Sequence, residues 1–97
     1  MSWTHEAVLA EVRGVIEQHT DATAKLNEST ELVADLGIDS LGVMEVVAEI
    51  EDKFNLTIAD AELRDVTSLG DVVEAIEIRL RADGRLVEEP HPTVEGA

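Results

Sequence analysis

The residues of this chain best suited to chemistry lie in one short run, Asp35-Leu36-Gly37-Ile38-Asp39-Ser40-Leu41. Gly37 has no Cβ and suits a tight turn. Asp39 is a strong N-cap for a helix that begins one residue later, which sets Ser40 on the first turn of that helix. A phosphate ester on such a serine would lie in the positive field of the helix N-terminus, close to backbone N–H groups that have no intrahelical partner. An Asp-Ser pair is also what an ordinary helix cap looks like, so spacing alone leaves Ser40 open between a modification site and a capping residue. Nothing nearby in sequence would activate the hydroxyl. His5, His19 and His91 are distant along the chain, and no Gly-x-Ser-x-Gly elbow surrounds the serine. The chain has no cysteine, which excludes disulfides, zinc thiolates and a cysteine nucleophile. Any thiol chemistry must be imported. A calcium loop starting at Asp35 fails too, because Gly37 and Val46 would fall at its third and twelfth positions, where oxygen ligands are required. No metal site is expected.

Four elements must position this run. The spacing of Val8, Val12, Val15, Ile16 and His19 predicts a helix from about Thr4 to His19, with Thr4 or Ser2 as its N-cap. A second helix runs from Ser40 to about Asn55, with Val43, Val47, Ile50 and Phe54 on one stripe. Strand alternation through Met44, Val46, Ala48 and Ile50 fits part of that segment. Its length without a proline decides for helix. Ala59 to Val66 has room for only a short helix, with Leu63 and Val66 facing inward. A fourth helix starts at Ser68, whose spacing from Asp71 resembles a capping box, and continues through Val72, Val73, Ile76 and Leu80. Arg79 and Arg81 suit its negative C-terminal end.

Between the first two helices, residues 20–39 form a long connection, with Leu26, Leu32, Val33 and Leu36 as apolar anchors that could pin it to the bundle. Such a crossover lets neighbouring helices run parallel. Gly84, Pro90, His91 and Pro92 break any period from Asp83 onward. One domain is therefore expected over residues 1–82, followed by a mostly disordered tail over 83–97.

With 22 acidic and 7 basic side chains, the formal net charge is −15. That surface repels phosphate backbones and anionic headgroups, which argues against nucleic-acid and membrane partners and suits proteins with basic patches. The first twenty residues lack the basic end and apolar run of a signal peptide, and no stretch approaches the roughly 18 apolar residues of a membrane span. A soluble, cytoplasmic protein is expected. One Phe, one Trp and no Tyr leave an aliphatic core.

The run from Asp35 to Leu41 is similar to the Asp-Leu-Gly-x-Asp-Ser-Leu attachment motif of the acyl carrier proteins. Met44-Glu45-Val46-Val47-Ala48-Glu49-Ile50-Glu51-Asp52-Lys53-Phe54 resembles their second helix. Ile58, Val66, Thr67, Ser68, Leu69 and Val72 to Ile76 resemble the short third helix and the opening of the fourth. The resemblance spans roughly Val8 to Leu80 without a gap. It implies an all-α fold, a four-helix bundle with a long first loop and a short third helix. It also implies a 4'-phosphopantetheine arm, transferred from coenzyme A to Ser40 beside Asp39 by a separate phosphopantetheinyl transferase, and no intrinsic catalysis.

In such a carrier the second helix and its neighbours dock partner enzymes. Here Asp35, Leu41, Met44, Glu45, Glu49 and Asp52 are the docking candidates, and acyl-transferring or ketosynthase-type enzymes with basic patches are the expected partners of a monomer. Val43, Val47, Ile50, Val66 and Ile76 are the expected lining of an acyl-chain pocket, with core packing as their ordinary role. Two departures from the family pattern stand out. Gly42 replaces the usual acidic residue after Ser-Leu, and Ala59 replaces the common proline before the third helix. Both lean towards a polyketide or other specialised acyl pathway over general fatty-acid synthesis. A peptidyl carrier would share fold and arm, but Ile38-Asp39 and the acidic second helix favour the acyl type. A helical adaptor with an unmodified serine is the remaining competitor.

Overall fold

The computed structural model describes residues 2–20 and 26–87. Along the chain run β1 (Trp3–Thr4), α1 (His5–Glu17), α2 (Ser40–Phe54), α3 (Asp60–Leu63), α4 (Leu69–Ala82) and β2 (Leu86–Val87). This is the expected all-α bundle, with a long connection before α2 and a single-turn α3.

Each long helix starts on a side-chain cap that offsets the orphaned amides of its first turn. Thr4 Oγ1 accepts from the Ala7 amide at 3.1 Å. Asp39 Oδ1 accepts from the Gly42 amide at 2.8 Å. At α4 the capping box is reciprocal: Ser68 Oγ accepts from the Asp71 amide, and Asp71 Oδ2 accepts from the Ser68 amide, both at 3.1 Å. Ala59 cannot cap α3 with its side chain, and Glu62 Oε1 reaching back to the Ala59 amide at 3.3 Å is a weak substitute. That is consistent with an element of one turn. Asn55 ends α2 in the left-handed conformation.

The core is aliphatic around one aromatic pair. Val8, Val12, Val15 and Ile16 of α1 meet Val47, Ile50 and Phe54 of α2 and Val72, Val73, Ile76 and Leu80 of α4, and α1 lies against both partners. Val46 is also fully buried, so the apolar face of α2 is wider than the four-residue stripe expected from sequence. Phe54 has no exposed surface and packs against Trp3 with ring centroids 4.4 Å apart. Truncating such a buried phenylalanine costs about 3–5 kcal/mol.

The connection into α2 is tied down by backbone bonds as well as apolar side chains. The Leu32 amide donates to the Thr67 carbonyl at 2.9 Å, and the Ile38 amide donates to the Leu32 carbonyl at 3.0 Å. Leu26, Leu32 and Ile38 are buried, whereas Val33 is 60% exposed. Val33 is therefore not the anchor it was expected to be; Ile38 takes that place.

The expected tail boundary also needs correcting. Residues 83–87 form a turn and then β2, which pairs in parallel with β1. Arg85 holds this segment in place, because its guanidinium donates to the Phe54 carbonyl and, at 3.1 Å, to the Asn55 carbonyl. These are the last carbonyls of α2, which lack intrahelical partners. The rest of the expected tail, including Pro90, His91 and Pro92, lies outside the described residues.

Candidate functional site

Gly37 turns the chain into the site with φ +72°, a conformation that glycine adopts without the Cβ penalty. Ser40 then occupies the first position of α2 and is exposed. Because Asp39 takes the Gly42 amide, the amides of Ser40 and Leu41 are left over at the positive end of the helix. The Asp39 carboxylate, the nearest negative charge in sequence, is turned into its cap. An anionic phosphodiester on the serine oxygen fits this arrangement.

Beside the serine runs an apolar groove of about 290 Å³, lined by Val33, Ser40, Val43, Met44, Val47, Leu63 and Val66. Val43, Val47 and Val66 of the expected acyl lining are brought together here. Ile50 and Ile76 are not: both are fully buried in the core and take no part in the groove. Val33, Met44 and Leu63 take their place. Helical periodicity could not find Val33, because it sits in the connection, and the hydrogen-bonded turn over residues 31–37 is what brings it to the groove.

The docking candidates divide by what they touch. Leu41 and Met44 are 68% and 62% exposed and flank the serine. Glu45, Glu49 and Asp52 are exposed on α2, on a ridge apart from its buried face. Glu49 Oε2 meets His19 Nε2 at 2.8 Å, and Glu45 Oε1 lies 3.8 Å from His19 Nδ1. Asp35 serves the turn before α2, where its Oδ2 accepts from the Glu31 amide at 2.8 Å. Glu51 likewise accepts from the Ile58 amide at 2.9 Å, so its charge belongs to the scaffold.

Two titrating groups lie on α1 and α4, away from the serine in sequence. A hydrogen bond donated to the Glu77 carboxylate raises the His5 imidazole above its ordinary value; burial opposes this, and the charges of Glu77 and Glu28 add to it. Backbone amides of Thr67 and Ser68 hold Asp71 below the ordinary carboxylate value. No group of three or more His, Cys, Asp or Glu suited to a metal ion occurs among the described residues. No helix there is long and apolar enough to cross a membrane.

Among the described residues, no side chain contacts the Ser40 hydroxyl as a base would. The bundle thus presents an exposed serine on a capped helix beside an apolar groove, with space for a group carried on the serine oxygen. The family model for the phosphopantetheine attachment site matches residues 6–76. An acyl carrier protein of Wolinella succinogenes is 43% identical over 63 residues, covering 65% of this chain and 83% of the relative. One from an Exiguobacterium species is 38% identical over 78 residues, covering 79% of this chain and 99% of the relative. A solved structure provisionally assigned as an acyl carrier protein of Mycobacterium tuberculosis matches with a TM-score of 0.69 at 25% identity, covering 74% of this chain and 97% of that one.

The chain belongs to the acyl carrier protein family. It is a carrier and not a catalyst, and its cofactor is covalent 4'-phosphopantetheine. Its partners are the transferase that installs the arm and the enzymes that handle acyl groups. The arm ends in a thiol, which supplies the thioester chemistry that a chain without cysteine lacks.

Proposed function

We propose that Ser40 is the attachment point of the arm and that the carrier serves a polyketide or other specialised acyl pathway. The observation that carries the first part is the start of α2, where Asp39 occupies the Gly42 amide and leaves those of Ser40 and Leu41 for the phosphodiester. The groove from Ser40 past Val43, Val47 and Val66 gives an apolar acyl chain somewhere to lie out of water. Leu41, Met44 and the ridge of Glu45, Glu49 and Asp52 form the docking face for basic enzyme surfaces, including transferases and ketosynthase-type enzymes. Gly42 supports the specialised pathway, because it removes an acidic group from the first turn of that face.

The test of attachment is intact mass after incubation with coenzyme A and a phosphopantetheinyl transferase. Wild type should gain one phosphopantetheine, and Ser40→Ala none while keeping its helical circular dichroism. Modification of Ser40→Ala, or no modification of wild type by several active transferases, overturns the assignment. The mass of the acyl group on protein from its native host tests the pathway.

A further inference from the structure

One contact at the edge of the docking ridge has no part in carrying the arm or sheltering an acyl chain. His19 follows α1, its backbone amide donates to the Ile16 carbonyl at 2.9 Å, and only 15% of its side chain is exposed. Its Nε2 lies 2.8 Å from Glu49 Oε2, and its Nδ1 lies 3.8 Å from Glu45 Oε1. A carboxylate only accepts, so the proton of that bond is on Nε2. The two glutamates are otherwise well exposed, with 46% and 57% of their side chains open to solvent. An unrestrained surface glutamate samples many rotamers, and a partner that grips it must first stop that motion. A half-buried imidazole anchored through its own backbone removes much of that freedom beforehand.

We infer that His19 is a positioning residue for docking: it fixes Glu49, so that α2 offers basic enzymes a preset carboxylate on its ridge. The inference rests on the proposal that the ridge of α2 docks partners. It adds a contribution from the end of α1, outside the face that meets the enzyme. Its energetic effect is entropic preorganisation, felt in association and KM more than in the chemical step. A glutamine at position 19 can keep an N–H donor near that of Nε2. Leucine keeps the bulk without a donor, and asparagine keeps a donor that is too short to reach Glu49.

The experiment compares arm loading of the full chain by a phosphopantetheinyl transferase at low salt for wild type, His19→Leu, His19→Gln, His19→Asn and Glu49→Lys. His19→Leu and His19→Asn should lower kcat/KM by about two- to tenfold, chiefly through KM, and His19→Gln should recover most of the loss. Melting curves identify any variant that fails to fold, and the Gln and Asn pair then carries the comparison alone. Loading by folded His19→Leu or His19→Asn at or above the wild-type rate overturns the inference. So does a folded His19→Gln as slow as His19→Asn. If Glu49→Lys loads normally as well, the ridge itself is not a docking face. If Glu49→Lys is slow while the His19 variants match wild type, the ridge stands and only the role of His19 falls.

Discussion

The γ2 methyl of Ile38 stands 2.6 Å from the point that a Cβ on Gly42 would occupy. Ile38 is buried, so it cannot swing aside freely, and the glycine at the first turn of α2 is the complement of a packed isoleucine. Helix propensity alone predicts that Gly42→Ala stabilises by about 1 kcal/mol. Overpacking against Ile38 predicts a cost of about 1–3 kcal/mol. We expect the clash to win, giving a net loss of up to about 2 kcal/mol in urea titrations. In an Ile38→Ala background the same alanine should stabilise, and the double-mutant cycle reads the coupling. A stabilising Gly42→Ala in the wild-type background would show that the loop yields easily.

Stability should depend on pH at both ends of the range, for opposite reasons. His5 binds its proton more tightly folded than unfolded, so its contribution is complete below 6.5 and is lost as pH rises through the higher folded value. Asp71 is held below its ordinary value, so its contribution is complete above 3.8 and is lost as pH falls through the lower folded value. In melting curves across this range, His5→Gln should flatten the alkaline decline and Asp71→Asn the acid one. Unchanged slopes in both variants would mean that other groups set the profile.

Arg85 should matter more than a residue of a loose tail. It closes the last carbonyls of α2 from a position beyond α4. A charge-assisted bond of this kind contributes about 1.5–3 kcal/mol. Arg85→Ala should lose a comparable amount, and deletion of residues 83–97 at least as much. A deletion that melts like the full chain would assign the stability to residues 1–82 alone.

A net charge of −15 on a small bundle implies self-repulsion. Salt screens it over about 8–10 Å at physiological strength, so the melting temperature should rise from low salt to a few hundred millimolar sodium chloride. Partner loading should move the other way. Screening weakens attraction to a basic enzyme, and Glu45→Lys should slow loading at low salt without changing the folded fraction. A variant with wild-type kinetics against several partners would place docking on Leu41, Met44 and the loop before Ser40.

The helices and their starts were legible because caps and periodicity act within a few residues. Thr4, Asp39 and the Ser68–Asp71 pair all cap where their spacing placed them. What stayed hidden depends on contacts between distant segments. Val33 and Ile38 are both apolar residues of one connection, and only the turn bonded to Leu32 and Thr67 decides which faces the core. Ile50 shares the helical period of Val47 on α2 and Ile76 that of Val72 and Val73 on α4, but a position on the apolar face does not distinguish a buried side chain from one at the edge of a groove. His19 extends the α1 stripe as if it were core, and its meeting with Glu49 follows from how α1 lies on α2. Arg85 had no local signal at all, since its partners lie 30 and 31 residues away in the chain.

The pairing of β1 with β2 joins opposite ends of the described chain, and this fixes its place in the order of folding. A two-residue parallel ladder cannot nucleate itself, and closing so long a loop is costly until the helices have already brought the ends together. The pair should therefore zip last and open first, as a small cooperative unit of its own. The Trp3 amide, bonded to the Arg85 carbonyl at 2.8 Å, should exchange its hydrogen through this local opening at a rate barely sensitive to denaturant. Hydrogen-bonded amides in the middle of α1 and α2 should exchange through global unfolding. The lone tryptophan, packed against Phe54 at a tilt, thus times the final closure of the molecule, and its fluorescence should lag the helical signal in refolding.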